Sequence, residues 1–151
     1  MAALTGPRNT TKIDDPVIPR TMALPVAAAT TIYAGSIVCC NAAGFAVPMT
    51  VSTTLRPYGR AKNTIVNAGG AGALTIEIDR GAFPYNMGTA GDALTIADRG
   101  NLVYGIDDNT VGKTNGTATR SLAGLLLDVV GTQAIVLIGG GPQTSGGTLG
   151  G

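Results

Sequence analysis

The sequence predicts an all-β fold: a small β-barrel or β-sandwich built from two related β units, with an extended N-terminal arm and a Gly-rich C-terminal tail. Three observations carry that expectation. Glycine supplies 23 of the 151 residues, which weakens helix interiors and provides the positive φ that tight turns need. Charged residues make up 13% and aromatic residues 4%, a profile of short strands rather than of a helical bundle laced with ion pairs. Through the middle of the chain, apolar residues recur with a period of two.

Residues 1–20, "MAALTGPRNTTKIDDPVIPR", are polar and punctuated by Pro7, Pro16 and Pro19, so they read as an extended arm without a core of its own. Fully extended, such an arm reaches on the order of 65 Å, well beyond the radius of a single small domain. Its isolated apolar residues Ile13, Val17 and Ile18, with Pro16 and Pro19 lowering the entropy lost on ordering, suit strand addition or groove binding on another subunit. Residues 21–138 form one β domain and residues 139–151, "GGGPQTSGGTLGG", a glycine-rich tail.

Inside the domain the elements follow in order. In "YAGSIVCCNAAGFAVP", Tyr33 to Pro48, "SIVCC" reads as a strand, "NAAG" as a turn and "FAVP" as the return strand. "RPYGRAKNTIV", Arg56 to Val66, reads as a further strand. "LTIEID" places Leu74, Ile76 and Ile78 on one face and Thr75, Glu77 and Asp79 on the other. "DALTIA", Asp92 to Ala97, and "QAIVLI", Gln133 to Ile138, predict two more strands. For "SLAGLLLDVV" a short helix competes, but Gly124 and the Val129–Val130 pair favour a buried strand.

An internal repeat accompanies these strands. Gly44 stands nine residues after Gly35, and Gly100 nine after Gly91, which pairs "AGS" with "AGD" and Cys39 and Cys40 with Thr95 and Ile96. "LTIEIDRGAFP" and "AIVLIGGGP" then close the two units with similar strands running into glycine and proline.

Candidate chemistry is sparse. Cys39 and Cys40 are adjacent, so their Cα atoms are too close for an unstrained disulfide. In a strand they point to opposite faces, with only one expected to be buried. The chain has no histidine and no third cysteine, so neither a zinc site nor an activated thiol is expected. "GIDDNTVGKT" superficially resembles a phosphate-binding loop. It has six residues between Gly105 and Gly112 where that motif needs four, and "NGTATR" follows where a helix should begin, so it reads as a polar loop between strands. Asp14–Asp15 and Asp107–Asp108 match no calcium-loop pattern and read as turn formers. Glu77 and Asp79 share a strand face, with Arg60, Lys62 and Arg80 as expected partners. No catalytic, cofactor or metal residue is assigned.

The net charge of +1, with Lys and Arg scattered, argues against a nucleic-acid partner. No run of apolar residues matches a secretory signal or a membrane span, so synthesis in a cytoplasm, with reduced thiols and no membrane partner, is expected.

The runs "IYAGSIVCCNAAGFAVPMT", "LRPYGRAKNTIVNAGGAGALTIEIDRGAFP", "AGDALTIADRGNLVYG" and "AGLLLDVVGTQAIVLI" resemble the small β-rich capsid decoration, or cement, proteins of tailed bacteriophages. The likeness runs from Ile32 to Ile138 and rests on glycines and alternating apolar residues. It implies a non-enzymatic, head-stabilising minor capsid protein: a homotrimer on the capsid exterior of the virion that bridges subunits of the major capsid protein. Contact of Ile13, Pro16, Val17, Ile18 and Pro19 with the capsid or a neighbour is an inference from the arm, outside the resembling region. The competing expectations are a head-fibre or tail component and, disfavoured by the failed loop spacing, a nucleotide-binding recombinase-like enzyme.

Overall fold

A computed structural model describes residues 21–139, and the arm sites Ile13, Pro16, Val17, Ile18 and Pro19 lie outside them. The described residues are all-β, with twelve strands and two short 3-10 turns. In the first half, β1 (Thr21–Pro25), β3 (Ile37–Cys40), β4 (Ala46–Pro48), β5 (Arg56–Ala61) and β7 (Thr75–Asp79) form a sheet of order β1-β7-β5-β3-β4. A two-stranded ribbon of β2 (Thr30–Ile32) and β6 (Ile65–Asn67) lies beside it. In the second half, β8 (Gly81–Met87), β9 (Leu102–Gly105), β10 (Thr110–Gly112), β11 (Leu122–Val130) and β12 (Gln133–Ile138) close a barrel in the order β10-β8-β12-β11-β9.

The two halves share one topology. Each runs strand, hairpin, strand, strand, so that β1, β3, β4, β5 and β7 correspond to β8, β9, β10, β11 and β12. All sequential pairings are antiparallel, and both halves close with a parallel contact: Val26 with Ala46 in the first, Val111 with Met87 in the second. The agreement extends to single hydrogen bonds. Ala27 N donates to Ala46 O at 3.0 Å, and Gly88 N to Val111 O at 2.9 Å. Gly35 N donates to Ala61 O at 2.9 Å, and Gly100 N to Leu126 O at 2.8 Å.

This register corrects the glycine alignment expected from sequence. Gly35 corresponds to Gly100, at φ of 90° and 84°, and not to Gly91. "AGSIVCC" therefore matches "RGNLVYG", and Cys39 and Cys40 match Tyr104 and Gly105 rather than Thr95 and Ile96. The nine-residue spacing was a coincidence of loops, because inter-strand hydrogen bonds, not turn glycines, set the register.

Two strand assignments also change. "DALTIA" is not a strand: 3-10 turns at Ala90–Asp92 and Ile96–Asp98 take its place. The cause is local, since the Asp98 carboxylate accepts Thr95 N–H at 2.9 Å and the Thr95 hydroxyl at 3.1 Å, closing a capping box that a strand could not satisfy. Arg56 to Val66 is two strands in different sheets, split at 62–64, where the Thr64 hydroxyl oxygen accepts Ala34 N–H at 3.0 Å. β11 and β12 are strands as expected. On β7, Ile76 and Ile78 are fully buried, whereas Leu74 precedes the strand and is 43% exposed.

Both cysteines are buried, against the expectation that only one would be. β3 is buried on both faces because it lies between two cores. Val38 and Cys40 face the core of the first unit, with Leu24, Val26, Ile32 and Ile76. Ile37 and Cys39, with Met49 and Leu55, enter the core of the second, against Tyr85, Val103, Leu126 and Val136. The first sheet and the closed barrel are thus fused through shared apolar side chains.

Candidate interaction surface

Among the described residues, the cysteines, Lys113 and Asp107 singled out from the sequence have local structural partners or are buried. Burial raises the Cys39 thiol far above its ordinary range, and the neighbouring Cys40 adds to the effect. Burial also raises Cys40, with Arg56 and Arg80 pulling the other way. A thiol held protonated is a poor nucleophile. Lys113, the lysine of the failed phosphate loop, forms an ion pair with buried Asp98 at 2.8 Å. Asp107 Oδ1 accepts Asn109 N–H at 2.8 Å, the turn-forming role expected of the Asp107–Asp108 pair. Among the described residues no group of three or more His, Cys, Asp or Glu side chains is arranged for a metal ion.

Of the three cations expected beside Glu77 and Asp79, Arg60 and Lys62 pair with them, whereas Arg80 turns to Met22 and the Tyr58 ring. Arg60 bonds Asp79 at 3.2 Å and Lys62 meets Glu77 at 3.7 Å. Arg60 and Arg80 stack over Phe83 and Tyr58, at 4.6 and 5.1 Å from the ring centroids. Arg80 sits at the junction of the units, where the two ends of the described chain meet. Thr21 pairs with Asp79, its hydroxyl donating to Oδ1 at 2.8 Å. A side chain added at Gly139 would collide with Tyr58 O and approach the Arg80 stem. The two ends of the described chain, Thr21 and Gly139, therefore lie at one corner of the body.

A second geometric feature lies where the units touch. The tip between β9 and β10 reaches the start of β3, where Ile37 N donates to Asp108 O at 2.8 Å, and Tyr85 of β8 adds a bond from its Oη to Gly35 O at 3.4 Å. Burial, reinforced by Asp107, raises the Asp108 carboxyl at this contact. At the matching start of β9 an open groove of about 460 Å³ is lined by Asp98, Gly100, Asn101, Leu102, Tyr104 and Lys113. Sequence reasoning did not single out this groove. Its signal was present in the likeness of "GSIV" and "GNLV", which the glycine spacing obscured. Comparison with family models, with curated proteins and with solved structures finds no match.

Proposed function

We propose that this chain is a non-enzymatic structural protein of a bacteriophage virion, binding the capsid exterior and stabilising the lattice by bridging major capsid subunits. The observation that carries this reading is the convergence of both described ends on the Asp79–Arg80 corner. Twenty residues precede one of these ends and twelve follow the other, so both segments leave the β body from the same corner. That arrangement suits a body that sits on a lattice while its terminal segments reach across to neighbours. Individually weak contacts suffice when many copies repeat them. The chain acts as a homotrimer in this reading, with Ile13, Pro16, Val17, Ile18 and Pro19 contacting the capsid or a neighbouring copy.

Mixing purified protein with undecorated capsids and imaging the product tests the reading. Occupancy of regular lattice positions is expected, and deletion of residues 1–20 should weaken attachment at least tenfold, or about 1.4 kcal/mol, with the circular dichroism of the body unchanged. Full-length protein that binds no capsid, or binds only a unique vertex or the tail, would overturn it.

A further inference from the structure

The contact that hairpin tips make between the two units is one-way. The tip of the second hairpin, Ile106 to Thr110, rests on the start of β3, but the tip of the first, Asn41 to Phe45, makes no matching bond to the start of β9. Among the described residues, its hydrogen bonds stay inside the first unit. The two tips are built alike: Asn41 N donates to Phe45 O at 2.9 Å, and Ile106 N to Thr110 O at 3.0 Å. Ala43 in the first occupies the place of Asp108 in the second. Ala42, Ala43 and Gly44 are exposed.

The two receiving surfaces are also alike. Gly35, Ser36 and Ile37 match Gly100, Asn101 and Leu102, and the Ser36 and Asn101 amides donate to matching carbonyls, Tyr33 O at 3.1 Å and Asp98 O at 3.0 Å. They differ in cover. Ile37 and Cys39 on β3 are fully buried by the second unit, whereas their counterparts Leu102 and Tyr104 on β9 are half-exposed in the groove. The β9–β10 ladder ends at Tyr104 opposite Gly112, so Leu102 lies beyond it as Ile37 lies beyond the β3–β4 ladder.

We infer that the groove at the start of β9 receives the Asn41–Phe45 tip of a second copy of this chain, repeating between chains the contact that joins the two units within one. A contact in which different surfaces meet is heterologous, and it closes into a ring when its rotation allows. First and second units would then alternate around the ring. A small, exposed Ala-Ala-Gly tip fits an open groove, and the carbonyl of Ala43 takes the role of Asp108 O toward Leu102 N. The inference deepens the self-assembly part of the proposed function and does not depend on capsid binding.

The double variant Ala43→Cys/Asn101→Cys tests it, since the native thiols are buried and do not compete. Mild oxidation should yield reducible intermolecular links ending at one discrete ring size, with neither single variant linking beyond a dimer. Leu102→Glu should weaken self-association roughly 100-fold, as loss of a central interface anchor does, with the strand signature in circular dichroism retained. An oligomer in native mass spectrometry that neither links through these cysteines nor weakens in Leu102→Glu overturns the seat while leaving self-assembly intact. A wild-type chain that stays monomeric overturns both. A chain that links as expected but ignores capsids supports the ring and removes the capsid reading alone.

Discussion

At the residue scale, glycine is used for two different reasons. Gly35 and Gly100 carry positive φ with open space around a would-be Cβ, so the backbone selects them. Gly59 and Gly124 are selected by contact: a Cβ at either would collide with a backbone carbonyl of the next strand, Asp79 O or Leu137 O. Both sit beside the bulge where β5 leaves β3 and β11 leaves β9, which is the same device used twice. Gly59→Ala and Gly124→Ala should each destabilise the protein by about 1–3 kcal/mol, as overpacking does, read as a lower urea midpoint. A change below about 0.5 kcal/mol in either would show that the strands relax apart at no cost. Cysteine is used for shape. Cys39 packs its sulfur 3.8 Å from the Met49 sulfur, and Met49 in turn fills the space that glycine leaves at position 105.

At the element scale, the segment between β10 and β11 is the least conventional. Gly116, Thr117 and Ala118 all have φ near +60°, a left-handed turn that costs a β-branched residue most. Asn115 holds it, its carbonyl accepting Thr119 N–H at 3.0 Å and Arg120 N–H at 3.1 Å. Asp92 anchors the far end, accepting the Thr114 hydroxyl at 2.7 Å and Arg120 Nη1 at 2.9 Å through each carboxylate oxygen. These bonds, that of Thr114 foremost, hold the Asp92 carboxyl below its ordinary range against the opposing effect of burial. A folded-state pKa below the unfolded one contributes stability that is present above the unfolded value, roughly 3.9, and is lost as pH falls through the folded value. Stability should therefore decline below about pH 4, and Asp92→Asn should lower the urea midpoint at pH 7 while making that acid decline shallower. An Asp92→Asn curve parallel to wild type at every pH would disprove the linkage.

At the scale of the whole molecule, the first sheet and the closed barrel are not two domains in the thermodynamic sense. The second core is completed by Ile37, Cys39, Met49 and Leu55 from the first half of the chain. Strand β3 belongs to both cores. Thermal unfolding should thus be one cooperative transition, with calorimetric and van't Hoff enthalpies equal. Met49→Ala should lower its midpoint as a whole, at a cost of about 2–5 kcal/mol. Two resolved transitions, or a residue 81–139 fragment that folds by itself, would contradict this.

Alternation and glycine content alone were enough for the all-β class, the hairpin at Ile37 to Pro48 and strands β7, β11 and β12, because these depend on side-chain period and local turns; they also placed Arg60 and Lys62 among the candidate partners of Glu77 and Asp79 without saying which meets which. The same local reading failed at Asp92 to Ala97, where one carboxylate three residues beyond Thr95 outweighs the strand pattern. It also misjudged the cysteines, because burial on both faces of a strand is decided by what packs on each side. Tertiary structure alone supplied the register that matches Gly35 with Gly100, the corner where both described ends meet, and the groove at β9. Each depends on hydrogen bonds or packing between residues far apart in the chain, and no local pattern encodes which of several compatible strands will lie beside another.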